Sequence, residues 1–252
     1  MWHTKKGHQF VHPFSLQAYR IIEDQNRSTT RNIVDTAIEH EILENLIEKN
    51  KPNMIYYGDE AHFAGLHYLL FTPFRYPPLK RGSRFGNRFE RNLFYGSLQL
   101  KTAMAEKAFY RFSFIRASQG KLSHHSIKLV AFSVHLKVSK GIDLSKEPFI
   151  AFRNQISSPV SYEVSQTLGE DMRKTGIEAF ISYSARCPEN GKNINVFTPA
   201  VFSKKEPLEK TFELWNCYST QETIEFYSNT PASKSIIFKL ENFMIDNTFP
   251  TI

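Results

Sequence analysis

The chain has 252 residues, a formal net charge of +7 and a pI near 9.3, with 41% hydrophobic and 23% charged residues. These proportions describe a globular protein that attracts anions. They exclude a helical membrane span, because no run approaches the roughly 18 apolar residues that one needs. Cys187 and Cys217 form neither a disulfide framework nor a metal spacing. The first residues, MWHTKKGHQF, hold no apolar run that would read as a secretory leader. A cytoplasmic protein is the expectation.

In chain order, AYRIIEDQNRS (18–28) leads into an amphipathic helix over TTRNIVDTAIEHEILENLIEKNKP. Val34, Ile38, Ile42 and Leu46 recur every fourth position beside Ile33, Ala37 and Ile47. Thr30 is its expected N-cap, Lys51-Pro52 its stop, and Glu39, Glu41, Glu44 and Glu48 its solvated face. Residues 53–81, with prolines at 73, 77 and 78, read as loop and short extended pieces.

After Gly96, Ser97 reads as the cap of a helix through LQLKTAMAEKAFYRF, with Ala105, Ala108, Phe109 and Phe112 as its apolar face. LVAFSVHLKV (129–138) alternates as a half-buried strand with Val130, Phe132, Val134, Leu136 and Val138 inward. Short strands are expected at 178–183, 194–202, 211–217, 222–228 and 234–240. Helices early and strands late predict an α+β fold.

GxGxxG, Walker A and GxSxG motifs are absent, which argues against a Rossmann dehydrogenase or a P-loop ATPase. His124, His125 and His135 have no carboxylate or cysteine at ligand spacing, so no metal site is expected. The dense stretch is GSRFGNRFERNLFYGS (82–97), where Arg84, Arg88 and Arg91 sit among Phe85, Phe89, Phe94 and Tyr95. Arginine beside aromatic rings suits a flat anionic ligand. That describes a nucleic acid or a dinucleotide.

The pieces Gly82-Ser83-Arg84-Phe85, Tyr95, Glu106 eleven residues later, Ser184-Ala185-Arg186 and Gly191-Lys192-Asn193 stand in the order of the RES domain. Together they resemble that family from about residue 60 to 200, with an N-terminal helical extension. The division expected from this is 1–55 for the extension and 56–252 for the RES domain with C-terminal strands. The family's usual GGRWN is GSRFG here. Arg84, Arg75 and Arg88 are therefore all candidates for the ligand-gripping arginine, in the order Arg84, then Arg75. Arg88 and Arg91 otherwise read as solvated residues.

The resemblance implies an ADP-ribosyltransferase-like fold and cleavage of the nicotinamide–ribose bond of NAD+. Water as acceptor would give ADP-ribose; inorganic phosphate as co-substrate would give ADP-ribose-1″-phosphate. It implies a toxin restrained by an Xre-type antitoxin, and it leaves a homodimer open. NAD+ enters as substrate, and no further cofactor is implied. The site residues carried over are Glu106, Arg84, Tyr95 and Ser184 for catalysis, and Arg75, Arg84, Tyr95, Ser184, Arg186 and Asn193 for binding.

The residue types suit that chemistry. A carboxylate at Glu106 would stabilise an oxocarbenium-like state. Arg84 and Arg186 would grip a pyrophosphate, and Tyr95 offers a ring and a hydroxyl. Ser184 reads as a hydrogen-bonding residue, since no histidine is placed to activate it as a nucleophile. Two other readings stand beside this one. One is an RNA-binding protein or ribonuclease-type toxin using the basic-aromatic stretch 74–95, with Arg75, Lys80, Arg81, Arg84, Arg88 and Arg91 among Phe74, Tyr76, Phe85 and Phe89. The other is a module that holds NAD+ without turnover.

Overall fold

The computed structural model describes residues 1–24, 34–50, 53–76, 80–118, 124–228 and 235–250. In chain order it contains β1 (His12–Glu23), α1 (Ala37–Lys49), α2 (Glu60–Phe63), α3 (Tyr68–Arg75), β2 (Phe94–Ser97) and α4 (Leu100–Ala117). There follow β3 (His125–Asp143), α5 (Arg153–Ile156), α6 (Glu163–Lys174), β4 (Ala179–Tyr183) and β5 (Lys192–Val196). β6 (Glu213–Ser219), β7 (Thr223–Tyr227) and β8 (Ser235–Lys239) complete the set. The fold is α+β, as expected.

The strands form one sheet in the order β1-β2-β5-β4-β3-β6-β7-β8, and β1 also pairs with β3. Five strands (β1, β2, β5, β4 and β3) therefore close into a ring, from which β6, β7 and β8 extend. All pairs are antiparallel except β3 with β4.

β3 is buried on both faces through its middle, rather than on one. Phe132, Val134, Leu136 and Val138 pack with Leu70 and Phe74 of α3. Leu129 and Ala131 pack with Ala108, Phe109 and Phe112 of α4. Two helices on opposite faces bury residues that alternation alone would expose. A third cluster joins Phe85, Phe149, Leu168, Met172 and Phe180 with Trp2.

Several expectations are corrected. Residues 18–23 of the expected lead-in to a helix instead form the end of β1, which pairs with β3 from His12↔Gly141 to Glu23↔Leu129. Residues 12–23 thus belong to the core sheet. α1 begins at Ala37, where Thr36 and Glu39 make a reciprocal capping box: Glu39 N donates to Thr36 Oγ1 (3.1 Å) and Thr36 N to Glu39 Oε2 (3.0 Å). Thr30, Ile33 and the stop at Lys51-Pro52 lie outside the described residues. The α1 stripe is exposed, with Ile38 at 72%.

Residues 53–81 hold α3 despite Pro73, because Leu69, Leu70 and Phe74 are buried under the sheet; tertiary burial outweighs the proline. Pro77 and Pro78 lie outside the described residues. Ser97 ends β2 instead of capping α4, whose N-cap is Gln99. β5 stops at Val196 and gives way to a 3-10 turn, Pro199–Val201. α6 was not foreseen: EVSQTLGEDMRK carries few apolar residues, yet Leu168 and Met172 are fully buried. Among the described residues no helix is long and apolar enough to cross a membrane.

Candidate active site

Strand register builds the floor of the site. Tyr19 of β1 opposes Ser97 of β2, Ser97 opposes Asn193 of β5, and Asn193 opposes Ser182 of β4. Opposed residues point to the same face of a sheet, so these polar side chains form one row across four strands. Ser97 Oγ donates to Asn193 Oδ1 (2.7 Å). In the next row Asn195 Nδ2 donates to Ser182 Oγ (3.0 Å) and to the Phe180 carbonyl (3.2 Å).

α4 crosses this face and brings Glu106 onto the row. Glu106 Oε1 accepts from Ser184 Oγ (2.6 Å) and from Asn193 Nδ2 (2.7 Å). Ser184 Oγ accepts from the backbone N–H groups of Arg186 (3.1 Å) and Cys187 (3.0 Å). Its one proton therefore points at the carboxylate. Gly191 closes this loop: its carbonyl accepts from Ser184 N (2.8 Å), and a Cβ there would lie 2.2 Å from Thr102 Oγ1 of α4. Only glycine lets the loop approach the helix so closely. Among the described residues no donor reaches Glu106 Oε2.

The Gly82–Gly86 turn supplies the opposite wall. Gly82 has φ 75°, and Ser83 N donates to Gly86 O (2.8 Å). A Cβ at Gly82 would lie 2.4 Å from that carbonyl. The turn buries Phe85 edge-on against Phe180 (4.7 Å between centroids) and turns Arg84 the other way. Arg84 Nη1 donates to the Ser158 carbonyl (2.7 Å), and its guanidinium lies 4.8 Å over the Tyr162 ring. Tyr95 Oη donates to Ser83 Oγ (2.9 Å) and accepts from Phe85 N (3.2 Å). Burial pushes the Tyr95 phenol up to about 12. It is a fixed hydrogen-bonding group at neutral pH, not a proton shuttle.

Arg186 is 5% exposed and sits 3.5 Å over the Phe109 ring. Its Nη1 donates to the Pro159 carbonyl (3.0 Å), and its Nη2 is buried without a partner among the described residues. Burial and the neighbouring Arg84 charge lower its pKa, partly offset by Glu106. These groups line one cavity of about 1670 Å³ with Tyr19, Arg20, Lys80, Arg81, Tyr110 and Arg116. Arg84, Tyr95, Glu106, Arg186 and Asn193 all line it, and Ser184 reaches it through Glu106. Arg75 ends α3 and is not among the lining residues.

The remaining arginines of the dense stretch divide. Arg88 is exposed beside Phe89, as expected. Arg91, read as solvated, is 3% exposed; it makes a bidentate pair with Asp59 (2.8 and 2.7 Å) among Tyr57, Phe63 and Phe74. Phe74 and Phe85 are buried too, leaving Tyr76 and Phe89 as the exposed rings among the aromatics proposed to stack RNA. The stretch does not present a continuous stacking face. His124, His125 and His135 join no metal-holding group among the described residues.

Sequence reasoning missed Tyr19, Arg20, Ser97, Tyr110, Tyr162, Ser182 and Asn195. The pattern of Asn193 and Asn195 on one strand face was the available signal for part of the row.

A mixed sheet with a carboxylate held over a polar row defines the class: an α+β protein with a cavity lined by a carboxylate and arginines. The RES domain model matches residues 60–216, more than half of the chain, and the chain belongs to the RES domain family. Among solved structures it is similar to a chain of the M. tuberculosis MbcT–MbcA toxin–antitoxin complex, at 10% identity and a TM-score of 0.44, covering 79% of this chain and 86% of that one. No curated protein matches the sequence.

Proposed function

We propose that the protein degrades NAD+ by breaking the bond between nicotinamide and ribose, and that it is the toxin of a toxin–antitoxin pair. Membership of the RES family supports the reading. The observation that carries it is Glu106: a carboxylate held at one oxygen by two neutral donors, in a cavity that Arg84 and Arg186 also line.

In this reading Arg84 and Arg186 hold the pyrophosphate, and the ribose C1″ lies near Glu106. The C1″–N bond breaks with its electron pair leaving on nicotinamide, which needs no protonation because the ring was cationic. Positive charge then develops on the ribose and is stabilised by the Glu106 carboxylate. Ser184 and Asn193 hold that carboxylate in place without neutralising it. An acceptor oxygen then bonds to C1″. Water loses a proton and gives ADP-ribose; phosphate gives ADP-ribose-1″-phosphate. The protein partner proposed is an antitoxin of the Xre type.

The test is NAD+ mixed with purified protein, with and without phosphate, and the products separated by chromatography. Nicotinamide release is expected, and the second product names the acceptor. A folded, inhibitor-free sample that releases none would overturn the reading.

A further inference from the structure

β4 and β5 carry a second polar pair on the face that holds Glu106. Asn193 donates to Glu106 and opposes Ser182, and Asn195 lies two residues further along β5. Alternation therefore turns Ser182, Asn193 and Asn195 to one face. All three line the cavity. Ser182 is 2% exposed and Asn195 1%, and their neighbours Phe180, Ile194 and Val196 are apolar and fully buried.

The bonds within this pair fix its free ends. Asn195 Nδ2 donates to the Phe180 carbonyl (3.2 Å) and to Ser182 Oγ (3.0 Å). A carbonyl only accepts, so the amide nitrogen faces it and Oδ1 is the other end. Oδ1 meets no donor among the described residues, and it is not one of the side-chain atoms sealed from solvent without a partner. It opens on the cavity that Asn195 lines. Ser182 Oγ receives the Asn195 N–H, so its own proton points elsewhere, and no acceptor for that proton lies among the described residues. One acceptor and one donor are left side by side at the cavity floor. Leaving both unmet costs stability that an apolar pair would not.

A ligand that meets them needs an acceptor beside an N–H donor on one flat edge. A primary carboxamide has that edge, and so does adenine at N1 and N6. A carboxylate only accepts, and hypoxanthine presents the two groups in reverse. Tyr95 opposes Asn195 from β2 and lines the cavity, which sets an aromatic ring beside the pair. Asn195 is about 7 Å along the strand from Asn193, the residue that holds Glu106. The nicotinamide carboxamide stands one pyridine ring away from C1″, whereas adenine lies at the far end of the dinucleotide.

We propose that Ser182 and Asn195 form a subsite for an amide-type edge and that its occupant is the carboxamide of nicotinamide. The choice of occupant rests on the NAD+ reading of this cavity; the subsite itself does not.

The experiment is an NMR titration of wild type, Ser182→Ala and Asn195→Leu with nicotinamide, nicotinic acid, AMP and IMP. Ser182→Ala should weaken nicotinamide binding about 3- to 10-fold, the worth of one neutral hydrogen bond. Asn195→Leu should weaken it similarly and also shrink the preference for nicotinamide over nicotinic acid, because the lost acceptor is the group that tells an amide N–H from a carboxylate oxygen. A preference for AMP over IMP that shrinks instead assigns the subsite to the adenine edge. Preferences and affinities unchanged in both variants overturn the proposal, and so does a wild-type protein that binds neither nicotinamide nor AMP. A lower melting temperature in Ser182→Ala with nicotinamide and AMP binding intact also overturns it, since it marks a packing pair. If Asn195→Leu does not fold, the Asn195 Nδ2 resonances of the wild-type protein decide. A shift with nicotinamide and not with nicotinic acid, or with AMP and not with IMP, supports the subsite; no shift with any of the four overturns it. No readout needs turnover. Nicotinamide held through Ser182 and Asn195 by a protein that releases none from NAD+ would remove the reaction and keep the subsite.

Discussion

Asp59 and Glu106 are two carboxylates of one chain, held in opposite ways. Asp59 takes both forks of Arg91, and it also accepts from Tyr57 N (3.2 Å) and Thr198 Oγ1 (3.3 Å). Arg91 then spends its remaining reach on the carbonyls of Phe197 (2.9 Å) and Ile55 (3.3 Å). The pair is neutral, and of the Arg91 guanidinium nitrogens only Nε is buried without a partner among the described residues. Glu106 meets only neutral donors, at one oxygen. Its charge is oriented but not cancelled, so its field remains available to a ligand. A carboxylate paired with arginine fixes a fold; one held by hydroxyl and amide can act on a developing cation. Both lie close to the Arg-aromatic stretch, which therefore divides between structure at Arg91 and the site wall at Arg84.

The comparison is broken or sharpened by substitution. The largest expected effect is on stability. Arg91→Met leaves Asp59 with a part-buried, unpaired charge and should cost about 3 kcal/mol, the low end for a broken buried pair, read by denaturant unfolding. Loss of less than ~1 kcal/mol would mean the pair is not a closed structural unit. Next, Glu106→Gln keeps the shape and the acceptor oxygen but removes the charge. Nicotinamide release should fall about 10²- to 10³-fold, with a melting temperature close to that of wild type. A large fall in melting temperature instead would place Glu106 with Asp59 among the structural carboxylates.

Ser184→Ala removes one donor to Glu106 and should lower the release rate about tenfold, near the value of one hydrogen bond to a charged group. A loss as deep as that of Glu106→Gln would mean that Ser184 touches substrate directly.

The smallest effect is in acid. Burial would raise the Asp59 pKa, but the Arg91 hydrogen bond and charge override it, and the folded value is lowered. The stability this confers is present above the unfolded pKa, about 3.9, and is lost as pH falls through the lower folded value. An unfolding series below pH 5 should show wild type losing stability that Arg91→Met no longer has to lose. Parallel acid profiles would assign the sensitivity to other carboxylates.

Much of the site was legible because its chemistry is local in sequence. Glu106 follows Tyr95 by eleven residues, and Ser184 and Asn193 flank one turn, so short motifs capture them. Burial of Phe85 and φ 75° at Gly82 explain why that motif keeps an aromatic and its first glycine. The strands after residue 178 were legible from alternation. β1 was not, because its partner β3 lies more than a hundred residues away and its pattern mixes polar and apolar residues. Tyr19, Arg20 and the row through Ser97 and Ser182 depend on that pairing, and register is not written in local spacing. Arg91 was misread because nothing near it in sequence announces Asp59. The order of the α1 stripe was legible, but its exposure was not, since periodicity says which residues share a face and not what covers it.

The most direct measurement is nicotinamide release from NAD+ by the wild-type protein and by Glu106→Gln at equal concentration, with circular dichroism on both samples. Release by wild type and a loss of about 10²-fold or more in a folded Glu106→Gln is the expected result. Equal release from the two folded proteins would contradict the role given to the Glu106 carboxylate, and no release from either would contradict the reaction itself.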